Sequence, residues 1–245
     1  MKSVLMLLAG ALALFGMKIE SSYKVTYGIF GKVAKAEAVL ERNETDYNIS
    51  VKVYATGIAK MLSHNRREYY YSYGKVVDGF LRPDLFKRIK ETTKRKDIKE
   101  YHFDHKNRKI ILKAEKNKYG EFHTKTQEVL PYYTDEDILS LYFNLKKLLE
   151  PGRRKYTFYA VGGSEQNGKI DVVLPQGKEL DELKKELKVS GLYLKVILYQ
   201  KIFASKKGEL YLVIDQDGVT KKGLLKDVIF FGDIIGTLTK KRVYE

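Results

Sequence analysis

The sequence predicts a mainly β protein: a curved antiparallel sheet or open barrel with one α-helix packed against it. Three observations lead there. Apolar and polar residues alternate with period two over most of the chain beyond residue 20, short polar clusters separate the alternating runs, and residues 135–149 carry an apolar stripe at helical spacing with start and stop signals at its ends. The chain has 245 residues and no cysteine. It is long enough to bury a core without covalent staples, and thiol nucleophiles, disulfides and thiolate metal sites are excluded.

The first element is an apolar run. Residues 4–17 are fourteen positions without a charge, and as a helix at about 1.5 Å each they reach roughly 21 Å, short of a bilayer core of about 30 Å. Lys2 precedes the run and Ala9, Gly10, Ala11, Ala13 and Gly16 offer small residues for cleavage, so residues 1–16 read as a secretory signal cut somewhere between 13 and 22. The expected address is the periplasm of a bacterium, with secretion or an uncleaved N-terminal anchor as the alternatives. Beyond Lys18 no apolar segment has spanning length, so the mature chain, residues 17–245, is expected to be a single β-rich domain without a transmembrane span.

The strands follow in order. Tyr23, Val25, Tyr27 and Ile29 share one face of a first strand, residues 33–41 set Ala34, Ala36, Ala38 and Leu40 against Lys35, Glu37 and Glu41, and residues 47–55 alternate again after an Asn43 to Asp46 turn. These three segments and their short turns predict a meander with one dry and one wet face. Residues 68–73 and 75–80 read as a hairpin around Gly74, and strands are expected at 85–92, 99–104, 109–115 and 121–129. The helix at 135–149 is expected to be capped by Thr134 or Asp135, with Asp135, Glu136 and Asp137 in its first turn, Lys146 and Lys147 in its last, and Pro151-Gly152 beyond it. Strands resume at 156–161 and 169–174. Residues 179–188 fit a helical stripe or a charged hairpin equally, and strands at 192–200, 209–215, 223–231 and 234–240 complete the chain.

There are 46 Lys plus Arg against 31 Asp plus Glu, a formal charge of +15. Such a balance would suggest nucleic acid in the cytosol. Export removes that partner, and most of the basic pairs, from Arg66-Arg67 to Lys240-Lys241-Arg242, sit at expected turns and strand ends as solvated charge. What remains is attraction to anionic lipid head groups or acidic glycans.

Several stretches resemble one family in their order and spacing: GKVAKAEA at 31–38, FDH at 103–105, DILSLYF at 137–143, and LVID at 212–215 leading to GDIIG at 232–236. The chain is similar to the family called domain of unknown function 3108. The resemblance implies an exported, largely β bacterial protein and carries over no catalytic residue.

No motif assigns chemistry. On a strand His102 and Asp104 share a face while His105 points away, so these do not converge on a metal unless His123 joins from a neighbouring arm. Asp215-Gln216-Asp217-Gly218 resembles the opening of a calcium loop, but Thr220, Lys221 and Lys222 occupy later ligand positions, and a hairpin turn with Gly218 at positive φ is expected instead. Gly162-Gly163-Ser164 supplies no nucleophile elbow. No catalytic residue, metal or cofactor is therefore expected. Two features have a binding reading. Ala34, Ala36 and Ala38 are small for a strand interior and leave either a groove for an acyl chain or room for close helix packing; Tyr69, Tyr71 and Tyr73 offer aromatic surface for sugars or a lipid boundary, or else form a core edge with wet hydroxyls. The leading expectation is noncatalytic binding of a lipid or lipid-linked glycan from the envelope. The alternatives are a module that docks on an envelope protein through strand edges or tyrosines, and a hydrolase whose site is assembled from distant residues.

Overall fold

The computed structural model describes residues 16–119, 122–164, 166–199, 209–228 and 232–245, so the expected leader lies outside the described residues apart from Gly16. The elements in chain order are β1 (Met17–Tyr27), β2 (Lys32–Arg42), β3 (Asp46–Ala55), α1 (Gly57–Leu62), β4 (Arg67–Val77), β5 (Phe80–Glu91), β6 (Arg95–Asp104), β7 (Lys109–Lys118), β8 (Phe122–Val129), β9 (Glu136–Asp137), α2 (Ile138–Leu148), β10 (Lys155–Val161), β11 (Lys169–Val173), α3 (Gly177–Leu187), β12 (Leu192–Leu198), β13 (Glu209–Ile214), β14 (Thr220–Val228) and β15 (Gly232–Tyr244), with a 3-10 turn at Gly28–Phe30.

All fifteen strands belong to one sheet in the order β8-β7-β6-β5-β4-β3-β2-β1-β15-β14-β13-β12-β11-β10-β9. Each neighbour is antiparallel except β9, which runs parallel to β10. The first and last strands therefore meet at the centre, where Lys18 pairs with Tyr244 and Tyr27 with Ile234. The sheet does not close on itself. Instead it rolls until the β9 edge and the start of α2 lie against the inner face of β4 and β5.

Helix α2 fills the roll. Leu141 and Leu145 pack with Tyr156, Ala160, Ile170, Val172 and Leu194 on the C-terminal half. From the same helix Leu139 and Phe143 reach Ile19, Leu40, Tyr47 and Ile49 on the N-terminal half. Ile138 meets Phe86, Phe103, Ile110 and Val161 where the two halves approach. A stripe wide enough to touch three walls needs apolar residues around most of the helix, and ILSLYFNLKKL provides them. On the outside, α3 lays Leu183 and Leu187 over Tyr193, Tyr211, Val213 and Leu224.

Two local readings of the sequence are corrected. The hairpin turn lies at Asp78-Gly79, both at positive φ, and Gly74 is inside β4, where a Cβ would stand 2.0 Å from the Arg82 carbonyl oxygen. Glycine is there for close backbone approach at a register shift between Tyr73 and Gly74, not for the turn. The helix cap is Asp137: its carboxylate accepts from the Leu139 and Ser140 N–H groups, and Glu136 and Asp137 lie in β9 and not in the first helical turn. The charged segment near 179–188 is the helix α3, ended by Lys188 in the left-handed conformation. Helix α1 was not anticipated.

Candidate binding site in the half-open interior

The inner face shows a gradient along its strands. Beside α2, Ile19, Leu40 and Ile49 are buried, as are Leu194, Val196 and Ile214 opposite. Toward the end of the sheet that carries α1, the inner side chains Val25, Ala34, Ala36, Val53 and Ile234 are only half-buried, while Leu198 and Leu210 on the C-terminal half still pack on the core around α2. Gly236 pairs with Val25 and Gly223 on this face, and a Cβ placed on it would meet nothing within 4 Å. Helix α2 covers one half of the interior. On β15 and β1 to β3 the other half is a partly exposed apolar trough.

Cross-strand pairing extends this trough into a charged wall. Ala38, Val51, Tyr70, Arg88 and Lys99 stand side by side on successive strands, and Ala36, Val53, Glu68, Lys90 and Asp97 form the next rung. Glu68 is buried, bonded by Arg66 Nε at 2.6 Å and by the Tyr70 hydroxyl. Burial pushes its carboxyl up, yet Tyr70, Arg66 and Lys90 outweigh that and hold it below the ordinary carboxylate range. Burial lowers the Lys90 ammonium against the pull of Glu68. Arg88 Nε is buried and makes no hydrogen bond. A buried cationic donor facing an apolar trough is matched by an anionic group that enters with an apolar tail.

Arg66 and Lys90 also line a cleft of about 600 Å³ with Lys94, Arg95, Lys118 and Tyr119 at the α1 end. Its loops are tied together by the Thr93 N–H on the His64 carbonyl at 2.9 Å and the Tyr119 N–H on the Lys94 carbonyl at 3.1 Å. Thr92 Oγ1 accepts from the N–H groups of Lys94 and Arg95, which fixes that turn.

The structure divides the residues singled out in the sequence. Ala34, Ala36 and Ala38 face the trough; Tyr69, Tyr71 and Tyr73 face outward, beside Lys52, Ser50 and Asn48 on β3. The rings of Tyr71 and Tyr73 stack at 6.1 Å on that outer face, so the two groups do not share a site. The inner tyrosine is Tyr70. The residues that sequence reasoning missed are Glu68, Tyr70, Arg88 and Lys90. Alternation in LFKRIKE pointed the wrong way, because Leu85 and Ile89 lie outside while Phe86, Arg88 and Lys90 lie inside.

The histidines have separate partners. His105 bonds the Pro83 carbonyl and the Tyr133 hydroxyl at 2.7 Å each, His123 meets Glu115 at 2.9 Å, and His102 stands 3.6 Å from Glu100. Among the described residues no group of three metal-binding side chains converges. Asp215 accepts from the N–H groups of Asp217 and Val219 and pairs with Lys241, which makes the stretch a hairpin turn with Gly218 at positive φ. Burial raises two carboxyls, Glu136 to about 7 and Asp137 to about 6. Both sit between α2 and the sheet, Glu136 bonded to Ser140 and Asn144 and Asp137 to Ser72, so their perturbation belongs to a structural anchor.

A rolled, unclosed antiparallel sheet around one helix defines the class of this protein. A solved structure of the same class is the β-barrel-like protein of domain of unknown function DUF1849 from Brucella abortus, 13% identical, with a TM-score of 0.51 over 94% of this chain and 98% of that one. That likeness concerns the fold. The family model for DUF3108, a protein family of unknown function, matches residues 22–239, and the chain belongs to that family. Comparison with curated proteins gives no match.

Proposed function

We propose that this is an exported, noncatalytic binder of an amphipathic envelope lipid or lipid-linked glycan, acting in the periplasm after removal of its leader. The observation that carries the reading is the interior gradient: the face that α2 buries at one end is apolar and half-open at the other, and its rungs run directly into Arg88 and Lys90. An acyl chain lies along Ala34, Ala36, Ala38 and Gly236, which leave the width it needs. The anionic head group meets the cations of the charged wall. A cut after residue 16 leaves β1 whole, whereas a cut at 22 removes its first six residues.

The test is organic extraction of the purified protein followed by mass spectrometry, with Ala36→Phe as the blocked variant. Recovery of a stoichiometric lipid from the parent chain and its loss from the folded variant supports the reading. Lipid-free protein that also fails to respond to titration with an anionic single-chain lipid sinks it.

One observation favours a second reading. Strand β8 ends the sheet, and no strand pairs its outer edge among the described residues. A partner strand added there would dock an envelope protein by main-chain hydrogen bonds. Photo-crosslinking from Lys125 in intact cells separates the readings, since a protein adduct supports docking and a labelled edge without adducts removes it.

A further inference from the structure

We propose that the α1 end of the sheet is a docking surface for an anionic phospholipid bilayer. Two short turns project there side by side. The Gly28–Phe30 turn joins β1 to β2 and α1 joins β3 to β4; the Thr56 N–H bonds the Val33 carbonyl at 2.8 Å, and Gly57 at positive φ lies against the Lys32 carbonyl. They present their large apolar side chains to solvent: Ile29 is 88% exposed, Ile58 59%, Met61 78% and Leu62 76%. Phe30, at 37%, lies with its ring 5.9 Å from that of Tyr27. A folded chain does not gain from holding four such side chains in water on adjacent tips, and contiguous exposed apolar groups of this kind mark a contact surface.

Charge complementarity identifies the occupant. Lys32, Lys60, Arg66, Arg67, Lys94, Arg95 and Lys118 ring the tips and are all exposed. Nearby acids are engaged within the protein, Glu68 by Arg66 and Asp97 by Arg95. Apolar tips inside a cationic collar match the depth profile of a bilayer surface, with acyl chains below and phosphates at the rim; lysine and arginine stems lie along the boundary while their heads reach the phosphates. The cleft between Arg66, Lys90, Lys94 and Lys118 admits a head group beside the tips. A protein partner with an acidic, apolar patch would need the same complementarity, but two curved, separate fingertips suit a fluid surface better than a fixed one. The proposal stands on the loop tips and not on the trough, so it can hold whether or not the interior carries a lipid.

The chain has no cysteine, so a single introduced one can carry an environment-sensitive fluorophore. The full chain is labelled at Met61→Cys or, at the opposite end, at Asn107→Cys, and mixed with vesicles of phosphatidylethanolamine containing phosphatidylglycerol. The N-terminal apolar run enters β1 at the same end as Asn107, so its insertion would shift the label at 107, and a shift at 61 without one at 107 reports the α1 end. The expected result is a blue shift at position 61 and none at 107, lost in pure phosphatidylcholine and in high salt. Lys94→Glu with Arg95→Glu weakens the response by about tenfold or more. A silent label at 61, an equal shift at 107, or a shift at 61 that ignores charge and salt overturns the proposal. Lipid extraction reads the trough separately, so the two readings fail independently.

Discussion

The Ser72 hydroxyl donates to Asp137 Oδ2 at 2.5 Å across 65 residues of sequence, and this contact joins the β9 edge of the sheet to β4. Asp137 spends its other oxygen on the Leu139 and Ser140 N–H groups, so one buried carboxylate both starts α2 and holds it to β4. Because the Ser72 proton goes to the carboxylate, the Tyr47 hydroxyl at 2.8 Å donates to Ser72. Ser72→Ala removes a donor from a fully buried carboxylate and strands the tyrosine. The expected cost is roughly 2–4 kcal/mol in urea unfolding. Tyr47→Phe combined with it should cost less than the two separate losses together, since both act on one chain of hydrogen bonds.

The same anchor sets an unusual pH dependence. Glu136 and Asp137 titrate at about 7 and about 6 when folded, against 4.5 and 3.8 in the unfolded chain, with burial as the main cause. Between those values the folded state binds more protons than the unfolded one, so this contribution is present at acidic pH and lost as pH rises through 6 and 7. Glu136→Gln keeps an acceptor for Asn144 and removes the charge. Stability should rise at pH 8 by up to the order of 3 kcal/mol and change little at pH 4. Urea midpoints across pH for both chains check it; a variant whose curve parallels the parent's contradicts the assignment.

Asn144 imitates a strand. Its Nδ2 donates to the Leu81 carbonyl and its Oδ1 accepts the Leu81 N–H, both at 2.9 Å, inside the buried contact between α2 and β5. Asn144→Ala leaves a buried N–H and carbonyl without partners, which predicts a loss of about 2–4 kcal/mol. Hydrogen exchange at the Leu81 amide should accelerate by more than exchange at the amides of β12.

The extent of the fold that could be read in advance follows from these contacts. Strands β1 to β3, β10 and β11 were legible because alternation there coincides with a single dry face, as in Ala34, Ala36 and Ala38, whereas β12 and β13 are also buried on the outside beneath α3. Gly74 misled because a glycine within a strand and one within a turn leave the same mark, and the competing signal, Asp78-Gly79, lay just beyond Lys75-Val76-Val77. Asp137 was hidden among three consecutive acids; which one caps depends on the β9 contact with β10, a pairing set by tertiary structure. The charged wall was missed for a related reason: the inward position of Arg88 is fixed by Phe86 entering the core, while Leu85 and Ile89 made the other face look drier. Helix α1 has six residues, too few for a periodic stripe to register.

Two glycines test whether the interior is full or open. At Gly74 an added Cβ would lie 2.0 Å from the Arg82 carbonyl oxygen and 2.7 Å from Pro83 Cα, backbone atoms that cannot withdraw without breaking the β4 to β5 ladder. Gly74→Ala should therefore cost about 3 kcal/mol or more, or prevent folding. Gly236 is in ordinary strand conformation, and its Cβ would meet nothing within 4 Å on the trough face. Gly236→Ala gains from a less flexible unfolded chain and should be neutral or stabilising by about 0.5–1 kcal/mol. Gly236→Leu should fold as well, because its side chain has space to enter. A large loss for Gly236→Leu in urea unfolding would mean that the space beside Ala34 and Ala36 is already filled by protein, leaving no room for an acyl chain there.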